Sequence, residues 1–74
     1  MESKSPKLLL RFGERVRELR QATGMSQEAF ADHCGLDRTY ISGIERGKRN
    51  VSLENLKVLA KALNVTLSRL VEGL

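Results

Sequence analysis

Three glycines, Gly24, Gly35 and Gly47, cut the middle of this chain into segments of ten and eleven residues. Each glycine is followed within a few positions by a side chain suited to start a helix: Ser26, Asp37 and Ser52. A glycine accepts the left-handed conformation that ends a helix, and Ser or Asp accepts a hydrogen bond from the first free backbone N–H groups of the next. This punctuation excludes one long helix and predicts short helices turning sharply on one another.

Five segments follow from it. Residues 1–5 read as a flexible N-terminal tail, ending in Ser5 as a cap ahead of Pro6 at a first helical position. The first helix is expected over Pro6–Thr23, with Leu8, Leu9, Phe12, Val16 and Leu19 on one face. The second runs from its cap Ser26 to about Cys34, with Phe30, Ala31 and Cys34 inward. The third runs from Arg38 to about Arg46 after the cap Asp37, and turns Ile41 and Ile44 inward. The fourth spans Leu53–Leu63, with Leu53, Leu56, Leu59, Ala60 and Leu63 as its apolar stripe and Asn64 as its C-terminal cap. Thr66 caps a last short helix through Leu70 and Val71. No segment sustains the alternation of a strand, so the fold class is all-α: a compact five-helix bundle forming one domain over residues 6–74.

Within 74 residues a single core supplies only a few kcal/mol of net stability. The lone cysteine, Cys34, cannot form an internal disulfide, so tight packing or a second subunit must contribute.

The functional pattern lies between Gln27 and Arg46, where the second and third helices meet at Gly35. Two helices crossing steeply through a short turn need a small residue where their backbones approach, and Ala31 supplies it four positions before the glycine. Ile41 and Ile44 then hold one side of the third helix inward and leave the other outward. Thr39 and Arg46 lie near the centre of that outer side, Ser42 and Gly43 flank it, and Arg38 stands at the tip. Such polar, small and basic residues suit a helix entering the major groove: Arg pairs with guanine O6 and N7, and Ser or Thr bonds a base edge or touches a thymine methyl. Gly43 is expected to leave room for close approach.

Charge supports this reading. Lys and Arg outnumber Asp and Glu by 13 to 9, a net charge of +4, and Arg38, Arg46, Lys48 and Arg49 fall close together with only Glu45 as counter-charge after the cap. A basic cluster favours a polyanionic partner.

The segments Gly24-Met-Ser-Gln-Glu-Ala-Phe-Ala31, Gly35-Leu-Asp-Arg-Thr-Tyr-Ile-Ser-Gly-Ile-Glu-Arg-Gly47, Ser52-Leu53 and Leu63-Asn64-Val65 resemble the phage-repressor-like (XRE) helix-turn-helix family. Leu36 to Asn50 resembles, more narrowly, the controller proteins of restriction–modification systems. Phe30 stands where leucine is common, and Gly43 where many relatives carry a larger residue.

The resemblance implies the following roles. Gln27 contacts a phosphate, Arg38 reads a base with Thr39 beside it, and Tyr40 sits against the DNA near the dyad. Ser42 and Arg46 face base edges or backbone, and Arg49 and Asn50 grip phosphate. Glu45 pairs structurally with Arg20. The resemblance also implies a homodimer on a palindromic double-stranded DNA operator. Its interface is expected at Val58, Ala62, Leu67 and Val71 of the C-terminal helices, a place for a self-complementary two-fold contact.

The function expected is a sequence-specific transcriptional regulator, a controller binding its own promoter region as a dimer. The alternatives are an XRE-type repressor of a prophage or antitoxin operon and, in a different class, a protein-interaction adaptor on the same fold. His33 and Cys34 lack further His or Cys to complete a metal site, no catalytic constellation is present, and the glycines form no phosphate-cradling loop. No metal, cofactor, small-molecule ligand or enzymatic activity is therefore expected. The Leu8–Leu10 run is too short for a signal-peptide core of about 7–15 residues or a span of about 20, so a cytoplasmic protein with no membrane partner is expected.

Overall fold

The computed structural model describes residues 6–74, which form five helices: α1 (Pro6–Thr23), α2 (Gln27–Cys34), α3 (Arg38–Glu45), α4 (Leu53–Leu63) and α5 (Leu67–Leu70). No strand occurs among the described residues. The expected tail and the Ser5 cap lie outside them.

Side-chain oxygens start four of these helices. Ser26 Oγ accepts from the Ala29 N–H at 3.0 Å, Asp37 Oδ1 from Thr39 at 3.3 Å, Ser52 Oγ from Asn55 at 3.1 Å and Thr66 Oγ1 from Arg69 at 3.0 Å. Each bond satisfies a donor that a helix start leaves without an internal partner, a contribution of about 1 kcal/mol. At the far end of α2, Gly35 takes a φ of 70°, and the Leu36 N–H reaches back to the Ala31 carbonyl at 3.0 Å. Asn64 closes α4 in the same left-handed region, with φ 59°. Helices α3 and α5 each stop one residue earlier than the sequence suggests, with Arg46 and Val71 in the cap positions.

The core gathers residues from every helix: Phe12 and Val16 of α1, Phe30 and Ala31 of α2, Ile41 and Ile44 of α3, Leu59, Ala60 and Leu63 of α4, and Leu70 of α5. Burying each large apolar side chain contributes roughly 1.5–3 kcal/mol against chain entropy. Helix α1 crosses the end of α3 at Gly13, where any Cβ would stand 2.4 Å from the Ile44 carbonyl oxygen.

Two residues assigned to core faces are not in the core. Leu53 is 72% exposed and Leu8 is 44% exposed. Both sit in the opening turns of their helices, and helical side chains lean towards the N-terminus. They project past the end of the packed layer rather than into it. Conversely, Val58 and Ala62, expected at a dimer interface, are half-buried, Ala62 against the core itself. Leu67 and Val71 are each 37% exposed.

Candidate nucleic-acid interface

The outer side of α3 is held by a polar anchor behind it. Glu45, buried in the last turn of α3, receives Arg20 of α1 through two parallel bonds, Nε to Oε2 at 2.7 Å and Nη2 to Oε1 at 3.0 Å. The remaining nitrogen, Arg20 Nη1, donates to the Met25 carbonyl at 2.9 Å. The hydrogen bond to Glu45 raises the pKa of Arg20, against the opposing effect of burial. Paired forks of this kind fix orientation as well as charge. One ion pair therefore ties α1, the turn before α2 and the end of α3 together.

Gln27 joins the same anchor. Its amide Nε2 donates to Glu45 Oε1 at 3.0 Å, and the side chain is half-buried. The family resemblance implies a phosphate contact for Gln27; the fold gives it a bond to the carboxylate at its back.

In front of the anchor, Arg38 and Thr39 in the first turn of α3 and Arg46 at its end are exposed, while Ser42 between them is half-buried. Lys48, Arg49 and Asn50 of the following loop are also exposed. Among the described residues the ion pairs are Arg20–Glu45 and the surface pair Arg69–Glu72, so the cations of α3 and its loop lie outside both. An exposed row of uncompensated cations concentrates positive potential on one side of the molecule.

Tyr40 and Gly43 take places that periodicity alone does not give. Tyr40 is half-buried, its hydroxyl accepts from Asn55 Nδ2 of α4 at 3.2 Å, and the Arg49 guanidinium carbon stands 5.4 Å from its ring centroid. Gly43 is buried, and a Cβ there would lie 2.9 Å from Arg49 Cγ. The room left at Gly43 thus holds the Arg49 stem rather than standing open for an incoming base. Asn55 was not singled out in the sequence. Its only signal there is a weak helix former in the first turn of an otherwise strong helix.

His33 is exposed, and Cys34 packs half-buried against the core, its thiol pushed up to about 11 by burial. No group of three or more potential metal ligands occurs among the described residues, and no helix there is long and apolar enough to cross a membrane.

Comparison with known proteins identifies this arrangement. Residues 16–70 match the helix-turn-helix family HTH_3. Control protein C.MunI of Mycoplasma sp. is 53% identical over 62 residues, covering 82% of this chain and 84% of the relative. The crystal structure of the restriction–modification controller protein C.AhdI from Aeromonas hydrophila superposes with a TM-score of 0.82 at 55% identity, over 84% of this chain and 94% of that one. The controller protein C.Esp1396I, solved as a tetramer in complex with its natural 35 base-pair operator, superposes with a TM-score of 0.75 at 42% identity, over 80% of this chain and 78% of that one. The anchored third helix, its exposed basic outer side and these identities together make the chain a member of the helix-turn-helix family that includes the restriction–modification controller proteins.

Proposed function

We propose that this chain is a sequence-specific DNA-binding transcriptional regulator, a restriction–modification controller that binds its own promoter region as a dimer. The observation that carries this reading is the division of α3. Ile41, Ile44 and Glu45 secure it to the core, and Arg38, Thr39 and Arg46 are left exposed and free of structural partners. The likeness to C.Esp1396I, whose operator complex is known, supports it.

In this reading α3 enters the major groove. Arg38 takes the two acceptors of a guanine, and Thr39, Ser42 and Arg46 meet neighbouring base edges or backbone. Tyr40 lies against the duplex near the dyad. Arg49 and Asn50 hold phosphate from the loop, and Gln27 does so from the start of α2 while bonded to Glu45. One such helix reads only a few base pairs, so two copies bind half-sites about 34–36 Å apart. Residues 6–74 form the one domain, and its C-terminal helices carry the dimer contact. For that contact the free apolar surface is Leu53, Leu67 and Val71, while Val58 and Ala62 have less of theirs to offer. The reading requires no cofactor, no small-molecule ligand and no catalytic step, and it places the protein in the cytoplasm with the DNA. Occupancy then rises steeply with subunit concentration, because dimerisation precedes binding.

The test is a titration of wild type, Arg38→Ala and Arg49→Ala against the upstream region of the gene at several salt concentrations. Losing Arg38 costs about 1–3 kcal/mol and relaxes base preference. Losing Arg49 weakens binding to every duplex and lowers the salt slope by about one. If both variants bind as wild type does, the protein does not read DNA through α3.

A further inference from the structure

The junction between α3 and α4 gives a task to a residue outside the exposed basic row. Tyr40 is held from two directions there. Arg49 covers one face of its ring at 5.4 Å, with its stem lying across Gly43. Asn55 holds the other end, donating Nδ2–H to the phenol oxygen at 3.2 Å. Tyr40 belongs to α3 and Asn55 to α4, so the bond ties the ring to a second helix.

We propose that Asn55 is a positioning residue for DNA recognition: it fixes the Tyr40 ring and, by donating to it, keeps the hydroxyl hydrogen free for an acceptor on the duplex. The proposal rests on the DNA-binding reading above. A phenol hydroxyl carries one hydrogen and two lone pairs. Asn55 occupies a lone pair, so the hydrogen stays available. Phosphate oxygens are alike on every duplex, whereas the acceptors on guanine, adenine and thymine in the major groove differ with sequence, so a base edge is the acceptor meant here.

The residue type at position 55 has no better local explanation. The bond that starts α4 runs from the Asn55 backbone N–H to Ser52 Oγ at 3.1 Å, and any side chain would permit it. Three positions after a serine cap, Glu or Gln is favoured because it reaches back to the cap. Asn55 instead directs its amide to Tyr40, and its helix propensity is poor.

The chain contains one tyrosine and no tryptophan, so its tyrosine bands in near-ultraviolet circular dichroism report Tyr40 alone. The experiment first recovers a preferred duplex from a random-sequence pool with the wild-type protein. It then measures the binding of Asn55→Ala, Tyr40→Phe and the double variant to that duplex and to an unrelated one. Alanine is the better helix former, so the helix is retained. Each single substitution is expected to weaken binding to the preferred duplex about three- to tenfold, the range of one hydrogen bond. The double variant is expected to bind no worse than the weaker single one, and binding to the unrelated duplex to stay unchanged. Asn55→Ala is also expected to weaken the tyrosine dichroism of the free protein, which a purely structural role in α4 would leave alone.

Asn55→Asp keeps the shape but offers the hydroxyl an acceptor, and so turns the hydrogen away from the duplex. It is expected to lose more on the preferred duplex than on the unrelated one. Wild-type affinity in Asn55→Ala, losses that multiply in the double variant, or equal loss on both duplexes in Asn55→Asp would each overturn the positioning role and leave the DNA-binding reading standing. Failure of the wild type to recover any common sequence would overturn that reading, and this proposal with it.

Discussion

Gly13 of α1 lies so close to Ile44 of α3 that an added Cβ would stand 2.4 Å from the Ile44 carbonyl oxygen and 2.7 Å from that of Glu45. The obstacle is backbone, which cannot swing aside as a side chain can. Replacing an interior helical glycine by alanine ordinarily adds about 1 kcal/mol. Here Gly13→Ala is expected to cost about 2–3 kcal/mol instead, because α1 must back away from the end of α3. Urea unfolding measures the sign, and a gain in stability would refute the close crossing.

Removing one member of the buried pair leaves the other stranded. Glu45→Ala strips Arg20 of two bonds and Gln27 of one, and is expected to destabilise the fold by about 3–5 kcal/mol. Replacing both together, Arg20→Met with Glu45→Leu, is expected to recover most of that loss, since no charge is then left buried. Thermal unfolding of the three proteins separates the alternatives: a double variant no more stable than Glu45→Ala would show that geometry rather than charge is at stake.

Leu53 tests the proposed dimer surface without disturbing the core. At 72% exposure its replacement by Asp is expected to change the unfolding free energy little while weakening self-association at least tenfold, or about 1.4 kcal/mol. Sedimentation over a range of concentrations reads the second effect. Ala62→Asp, by contrast, pushes a carboxylate against the packed core and is expected to destabilise the chain strongly. An unchanged dimer in Leu53→Asp would move the interface elsewhere.

Burial raises the Cys34 thiol from its ordinary 9.0 to about 11. The folded state therefore favours the neutral thiol. Its contribution to stability is fully present below pH 9 and is lost as the pH rises towards 11. Since the thiolate is the reactive form, iodoacetamide at pH 8 is expected to label the folded protein at least about tenfold more slowly than the urea-unfolded chain. Equal rates would mean that Cys34 is not shielded.

Local chemistry was readable in the sequence, and crossings between helices were not. The caps at Ser26, Asp37, Ser52 and Thr66 need only residues a few positions away, so composition and spacing suffice to place them. Periodicity told which residues share a side of a helix, but not where the neighbouring helix ends. That is why Leu8 and Leu53 were placed inward, beyond the reach of the packed layer. Gly43 was read as open space because the return of Arg49 over it depends on the loop's path. Asn55 and Tyr40 are fifteen positions apart and meet only once α4 is docked. Gly13 carried a faint signal, since a glycine in mid-helix is costly and asks for a reason such as close approach.

The two sides of α3 answer to different demands. Ile41, Ile44 and Glu45 are buried in the fold, and the side chains of Arg38, Thr39 and Arg46 are exposed outside it. If α3 reads DNA as proposed, exchanging the outer three would change the operator while the scaffold stays still, and related systems housed in one cell could stop answering one another. The same separation makes this small domain a starting point for mutually insulated genetic switches.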